Sequence, residues 1–287
     1  MIPAEFDYHV AGSVDEAIAL LQQYGDDAKL LAGGHSLLPT MKLRLAQPAH
    51  IIDLGRIDGL SYIREVGDSV TVGPMTTYVT LQRSDVINRN FPMLAEGINE
   101  IGDQQVRNRG TLGGSVAHSD PAADTPGMVL ALKATIVTRG PNGARTISAD
   151  DFFKDLFETD LQAGEVITEI RFAKPAGRTG GAYEKMANRA SHYAVVGCAA
   201  VVTLDAGGVC TAASIVITGA SVKATRASAV EAALVGKTLD AATIAAAASH
   251  AADGMEMVSD IHGSKEYRAQ MATVMTKRAI TRAAERA

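Results

Sequence analysis

Apolar and polar positions along this chain repeat with two periods, and the changes of period divide it. Ser13-Val14-Asp15-Glu16 reads as a capping box, with Ser13 at the N-cap and Glu16 three residues on. Ala17, Ile18, Leu20 and Leu21 then supply one helical face, which Gly25 stops. A short strand over 29–32 feeds a Gly-Gly loop, a brief helix is predicted over 40–45, and 50–54 reads as the next strand. From Ile57 onward, 61–65 and 69–73 pair as a hairpin around Gly67-Asp68. Thr76 or Thr77 caps a helix through Leu81, and another helix covers 93–101. Residues 121–132 read as helical with Pro126 tolerated only near the start. A hairpin over 134–138 and 144–147 turns at Pro141-Asn142-Gly143, a short helix covers 150–155, and 165–172 is a strand.

Composition changes at Lys174-Pro175-Ala176-Gly177. Beyond it a third region begins at 182–185. Continuous apolar strands over 195–204 and 209–218 follow, joined by Asp205-Ala206-Gly207-Gly208. Three helices fit 225–234, 241–252 and 264–284, the middle one rich in Ala over 244–248. The pattern predicts an α+β chain. Lobes of 1–56 and 57–176 form a first domain, and 177–287 form a second of a small antiparallel sheet and three helices.

With 287 residues, 47% of them hydrophobic, the chain has ample material for two domains. A net charge of −5 with no long basic run points away from nucleic acid. No apolar run is long enough to cross a bilayer, so no transmembrane segment is expected. Met1-Ile2-Pro3-Ala4-Glu5 lacks the features of a secretory signal, so the expected compartment is the cytoplasm. Cys198 and Cys210 sit among apolar, β-branched residues and read as core. Two cysteines are too few for the four thiolates of an ordinary iron–sulfur cluster. The seven histidines show no close ligand spacing, so no metal site is expected. No Ser-His-Asp or Cys-His set emerges, and no catalytic side chain is assigned.

The candidate chemistry lies in two stretches, Leu30-Leu31-Ala32-Gly33-Gly34-His35-Ser36-Leu37-Leu38-Pro39 and Gly110-Thr111-Leu112-Gly113-Gly114-Ser115-Val116. Glycines let the backbone take positive φ and approach a ligand closely. Consecutive free N–H groups then form a concavity suited to phosphate. Two such loops could grip the pyrophosphate of a dinucleotide. The ordinary alternative is a pair of turns, with Ser36, Thr111 and Ser115 serving as local caps. Neither stretch is the G-x-G-x-x-G fingerprint or a P-loop.

Ala32-Gly33-Gly34-His35-Ser36-Leu37-Leu38-Pro39 resembles the first flavin-binding signature of the FAD-carrying medium subunits of molybdenum hydroxylases. Gln105-Val106-Arg107-Asn108-Arg109-Gly110-Thr111-Leu112-Gly113-Gly114-Ser115 resembles the second. Ile2-Pro3, Phe6-Asp7-Tyr8 and Gly263-Ser264-Lys265-Glu266-Tyr267-Arg268 fit as well, so the resemblance spans the chain. It implies a PCMH-type FAD-binding fold, with residues 32–36 and 111–115 holding FAD chiefly through backbone N–H groups. Asp124 at a helix start would accept from ribityl or ribose hydroxyls, or act as an N-cap. Leu161, in a family turn near the flavin's far edge, would pack there or close the turn. Lys185 would stabilise negative charge on the reduced ring, or be a solvated lysine. Tyr193 would shield the ring, or sit half-buried between domains. Arg107 and Arg109 would position the second loop or meet a partner chain.

The implied function is electron transfer of the carbon monoxide dehydrogenase type. A large molybdopterin subunit would oxidise CO with water, and a small subunit would relay electrons through two [2Fe–2S] clusters. FAD in this chain would pass them to a quinone or another acceptor. The implied assembly is a dimer of heterotrimers, in the cytoplasm or peripheral at the inner membrane face. Related hydroxylases act on N-heterocycles or aldehydes. A free-standing NAD(P)H-dependent flavin oxidoreductase and a cofactor-free scaffold stay open as alternatives. The C-terminal region reads as a packing and docking domain.

Overall fold

The computed structural model describes residues 1–287. Strand β1 (Asp7–Val10) leads into α1 (Val14–Tyr24), β2 (Ala28–Leu31), α2 (Leu37–Lys42) and β3 (His50–Asp53). The three strands form a parallel sheet in the order β1-β3-β2. Ser13 caps α1 by accepting from Glu16 N at 3.1 Å, while the Glu16 carboxylate reaches back to Gly12 N at 2.8 Å. The capping box therefore closes one residue earlier than its sequence form. Ala11, Ile18, Ile52 and Leu54 make a small core under this sheet, completed by Val166 from the next lobe.

The second lobe holds β4 (Ile63–Val66), β5 (Ser69–Val72), α3 (Tyr78–Gln82), α4 (Asp85–Asn90), α5 (Pro92–Asn99), α6 (Gln104–Arg109), α7 (Leu112–His118) and α8 (Asp124–Ala131). It continues with β6 (Thr135–Gly140), β7 (Gly143–Ser148), α9 (Ala149–Phe152), β8 (Phe153–Asp155), β9 (Glu158–Thr159) and β10 (Val166–Ala173). Five of these strands form an antiparallel sheet in the order β4-β5-β10-β6-β7. Thr77, not Thr76, caps α3, accepting from Thr80 N. The helix expected over 150–155 stops at Phe152, and the next residues pair as the small β8–β9 hairpin.

The last region comprises β11 (Arg178–Ala187), β12 (Ala194–Leu204), β13 (Cys210–Thr218), β14 (Thr225–Arg226), α10 (Ser228–Leu234), α11 (Ala241–Ala248) and α12 (Lys265–Glu285). Its sheet is antiparallel in sequential order. Residues 225–226, expected in a helix, form the edge strand instead. Strand β12 is apolar throughout because both faces are covered. Ala199 faces the core shared with the second lobe, while Val196, Cys198, Ala200 and Val202 face α10, α11 and α12. Both cysteines are fully buried and free. Helix α12 lies on β11 and β12 with Ala272, Ala279, Ile280 and Ala283 inward, so this part of the tail is a packing layer.

One buried cation ties the tail together. Arg268, 3% exposed, donates to Val195 O at 2.6 Å, to Gly219 O, and to Asp260 Oδ1 at 2.6 Å. Arg268→Leu leaves two buried carbonyls without donors, each lacking about 1–3 kcal/mol of compensation. The expected result is a destabilisation of about 3 kcal/mol, read as a lower urea midpoint with an unchanged slope.

Candidate functional site

The two glycine stretches meet. Gly33 lies so close to the end of α6 that a Cβ placed there would stand 2.1 Å from Arg109 O. A Cβ on Gly114 would lie 3.3 Å from the Ala32 side chain. Glycine is required at 33 because two backbones touch, and at 34 because φ is +75°. The other pair differs. Neither Gly113 nor Gly114 has positive φ, and a Cβ on Gly113 would strike Pro74 at 2.3 Å. The second pair therefore makes no left-handed turn, and Gly113 packs against Pro74 while also lining the cleft described below. A Gly113 side chain would disturb the 74–77 segment rather than fill a ligand's space.

The second stretch opens α7, and the amides of 112–115 donate within the protein, leaving that of Thr111 free. Leu112 N donates to Thr76 O at 3.0 Å and Gly113 N to Pro74 O at 2.8 Å. Gly114 N donates to the capping Thr111 Oγ1 at 3.1 Å, and Ser115 N to Thr111 O at 3.1 Å. Of the amides expected to meet an anion in residues 111–115, only that of Thr111 is left without a protein acceptor. What it offers outward is hydroxyl and backbone surface. The first stretch is the reverse, for the amides of Gly33, Gly34, His35 and Ser36 donate to no protein acceptor. The His35 ring turns back, with Nδ1 3.3 Å from Gly33 O, so this residue contributes its backbone.

Both stretches line one cleft of about 650 Å³, together with Asp124, Leu161 and Tyr193. Of the residues expected to hold the cofactor, only Leu112 and Lys185 do not line it, and Arg107 and Arg109 lie outside it as well. Leu112 is fully buried in the core beneath. Lys29, Thr125 and Val166 also line the cleft.

The other half of the cleft rests on a buried ion pair. Lys185 Nζ lies 2.9 Å from Asp124 Oδ2, with the two side chains 1% and 4% exposed. The amine also donates to Glu100 O and His192 O, both at 2.7 Å. Tyr183, two residues before Lys185 and on the same face of β11, donates its hydroxyl to Asp124 Oδ1. Lys185 is thus no solvated surface residue. Asp124 is not an N-cap either, since Ala123 occupies that position and Asp124 is the first helical residue of α8. Both of its oxygens already hold protein donors. Burial pushes the Asp124 carboxyl up to about 6, opposed by the Lys185 charge and the Tyr183 hydroxyl. Burial likewise pushes the Tyr183 hydroxyl well above its ordinary range, with Asp124 adding to it.

Tyr193 stands 38% exposed at the end of the loop that Lys185 holds through His192 O. Its hydroxyl lies beside Ser36, so it reaches across from the β11–β12 connection to the first glycine stretch. Leu161 is half-buried at the opposite rim. Arg107 is an internal fastener, donating to Ile101 O at 2.9 Å and more loosely to Asn99 O and Gly102 O. Sequence reasoning missed the hydroxyl chain beneath α7, in which Thr125 Oγ1 lies 3.1 Å from Tyr78 Oη and 3.0 Å from Ser115 Oγ. The only sequence signal for it was a threonine next to Asp124 in an otherwise apolar helix.

This geometry coincides with the comparisons. Residues 4–175 match the FAD binding domain in molybdopterin dehydrogenase, and the chain belongs to that family, as an FAD-dependent oxidoreductase subunit. Residues 181–283 match the CO dehydrogenase flavoprotein C-terminal domain. The chain is 45% identical over 283 residues to the carbon monoxide dehydrogenase medium chain of Hydrogenophaga pseudoflava, covering 99% of this chain and 98% of the relative. It is 38% identical to the 6-hydroxypseudooxynicotine dehydrogenase complex subunit alpha of Paenarthrobacter nicotinovorans, over 100% of this chain and 97% of that one. A solved carbon monoxide dehydrogenase structure from Hydrogenophaga pseudoflava superposes with a TM-score of 0.97 at 47% identity, covering 100% of this chain and 99% of that chain.

The ion pair yields a prediction. Asp124→Asn keeps the shape but leaves the Lys185 ammonium buried without a counter-charge. The expected cost is about 3 kcal/mol in denaturant unfolding. Lys185→Met in the same background should recover part of it, because the uncompensated charge is then gone.

Proposed function

We propose that this chain is the FAD-binding, electron-transferring subunit of a CO-oxidising molybdenum hydroxylase. The observation that carries the FAD site is the run of unpaired amides at residues 33–36, opening onto the cleft beside the hydroxyl of Thr111. Such a run suits a pyrophosphate, whose charge needs donors that do not have to be desolvated from other partners. The choice of CO as substrate is supported by the relatives' names and by full-length coverage.

FAD, when bound, supplies a redox carrier that accepts electrons from one partner and passes them to another. The chain's own part is positional. The first glycine stretch and Ser36 take the pyrophosphate. The Lys185–Asp124 pair fixes the start of α8, the 99–102 turn and the 188–193 loop around the ring's end of the cleft. Tyr193 covers that end and limits access of water. Oxidation of CO by water needs an activated oxygen nucleophile, which a metal centre supplies. That step, CO plus water giving CO2, two protons and two electrons, belongs to a large molybdopterin subunit. A small subunit with [2Fe–2S] clusters delivers the electrons, in a dimer of heterotrimers, and a quinone or other acceptor removes them. Residues 1–176 act as the FAD-binding domain and 177–287 as the second.

Gly34→Ala tests the FAD site. The residue has φ of +75°, and a Cβ would stand 3.0–3.2 Å from Leu38 and Leu31. The expected result is roughly tenfold weaker FAD binding, about 1.4 kcal/mol, with far-UV circular dichroism unchanged. Unchanged flavin affinity would remove this stretch from the site. The subunit reading is tested by CO-dependent dye reduction. The FAD-loaded chain alone should show none, and activity should appear only with the large and small subunits added. A nicotine-type N-heterocycle that outperforms CO in the reconstituted complex would move the chain to the neighbouring branch of the family.

A further inference from the structure

Beside the cleft lies a second recess of about 290 Å³, which shares Ala32, Gly33, Met75 and Thr111 with it. Its lining is polar except for Ala32 and Met75. Two arginines are among its lining residues. One is Arg56, on the turn after β3, and the other is Arg109, at the end of α6. Arg89, Arg145 and Arg282 all have carboxylate partners, whereas neither Arg56 nor Arg109 forms an ion pair or a side-chain hydrogen bond within the chain. The one carboxylate in the lining, Asp53, is already engaged, with Oδ1 accepting from Gly55 N at 2.7 Å and Oδ2 from the Tyr8 hydroxyl. Two further lining residues carry donors with no acceptor in the chain, the Asn108 side-chain amide and the Thr111 hydroxyl.

We infer that this recess is a binding site for a small, multiply charged oxyanion of the phosphate class. The chemistry follows from the donor set. Two arginines outnumber the single, already bonded carboxylate, so the recess carries a net positive charge. Guanidinium forks match the oxygens of a phosphoryl group two at a time. The volume suits a phosphate or the phosphoryl end of a small ester. No aromatic side chain is present to stack a nucleotide base. The recess is distinct from the flavin's place in the proposed function, and the arginines do not reach the cleft's lining except through the shared wall. Because the two spaces share Gly33 and Thr111, occupancy of one is linked to occupancy of the other.

The test is calorimetric titration of the FAD-loaded full chain with orthophosphate, at ionic strength held constant with sodium chloride. Bound FAD keeps phosphate out of the front cleft. A single saturable site is expected, with a dissociation constant on the order of 1 mM, equivalent to about 4 kcal/mol. Arg56→Gln, in an exposed turn, should weaken it about tenfold, the factor one charge-assisted hydrogen bond supplies. Arg109→Gln should do the same, with circular dichroism confirming that α6 is intact. Glycerol phosphate forms a second arm. Equal binding of the ester assigns the site to the phosphoryl group of a larger molecule, and exclusion of the ester assigns it to the free ion. No saturable binding, or binding that both variants leave unchanged, overturns the inference. A chain that takes up no FAD counts against the proposed function alone, since the arginine dependence is then measured on the flavin-free chain.

Discussion

An ammonium group sealed from water must share its charge among oxygens that cannot move away. Lys185 does this with one carboxylate and two backbone carbonyls, and those three acceptors belong to three different walls of the cleft. The start of α8, the turn after α5 and the loop before β12 are therefore held in register by one nitrogen. Arg107 grips the same 99–102 turn from outside, through three of its carbonyls. In a low-dielectric setting such bonds are strong when complete and costly when one is missing, so the geometry tolerates little drift. The rest of the site inherits its precision from this arrangement.

The opposite half of the cleft works by a different rule. There the backbone itself is the surface, and what matters is where side chains are absent. Gly33 permits contact with α6, Gly34 permits the left-handed bend, and Gly113 permits α7 to seat against Pro74. The two glycine pairs look alike in sequence yet do separate work. One exposes a run of unpaired donors, while the other packs a helix start whose donors beyond Thr111 are already spent. A single signature pattern thus contains both a ligand surface and its foundation.

Much of this was legible from residue order. The α1 cap, the β4–β5 and β6–β7 hairpins and the two-faced apolar strand β12 follow local rules, and local rules are what a sequence displays. Strand β1 was missed because Asp-Tyr-His-Val is largely exposed, and its partner β3 lies some forty residues away in a parallel pairing. Helices α4 and α6 were missed because their faces are polar, although Ser84 and Asp103 cap them in the ordinary way. Asp124, Lys185 and Tyr193 were named from a family resemblance, but their surroundings were not readable. Whether a lysine is solvated or sealed depends on three segments meeting it, none adjacent to it in the chain. The same holds for Gly113, whose neighbour Pro74 lies on a distant segment.

The contacts that join the two halves of the cleft are long-range. Lys185 meets Asp124 across 61 residues and Glu100 across 85, and Tyr183 meets Asp124 across 59. Each such closure costs chain entropy that local helices and hairpins do not pay. The elements of the cleft can therefore form early, but the cleft cannot exist until both halves of the chain have docked. The same feature makes it an early place to loosen on heating, since opening one docking surface undoes several of these bonds together. A flavin that occupies it binds the assembled form and not its parts. The cofactor then acts as a late fastener, deepening the native state by an amount that grows with the logarithm of its free concentration.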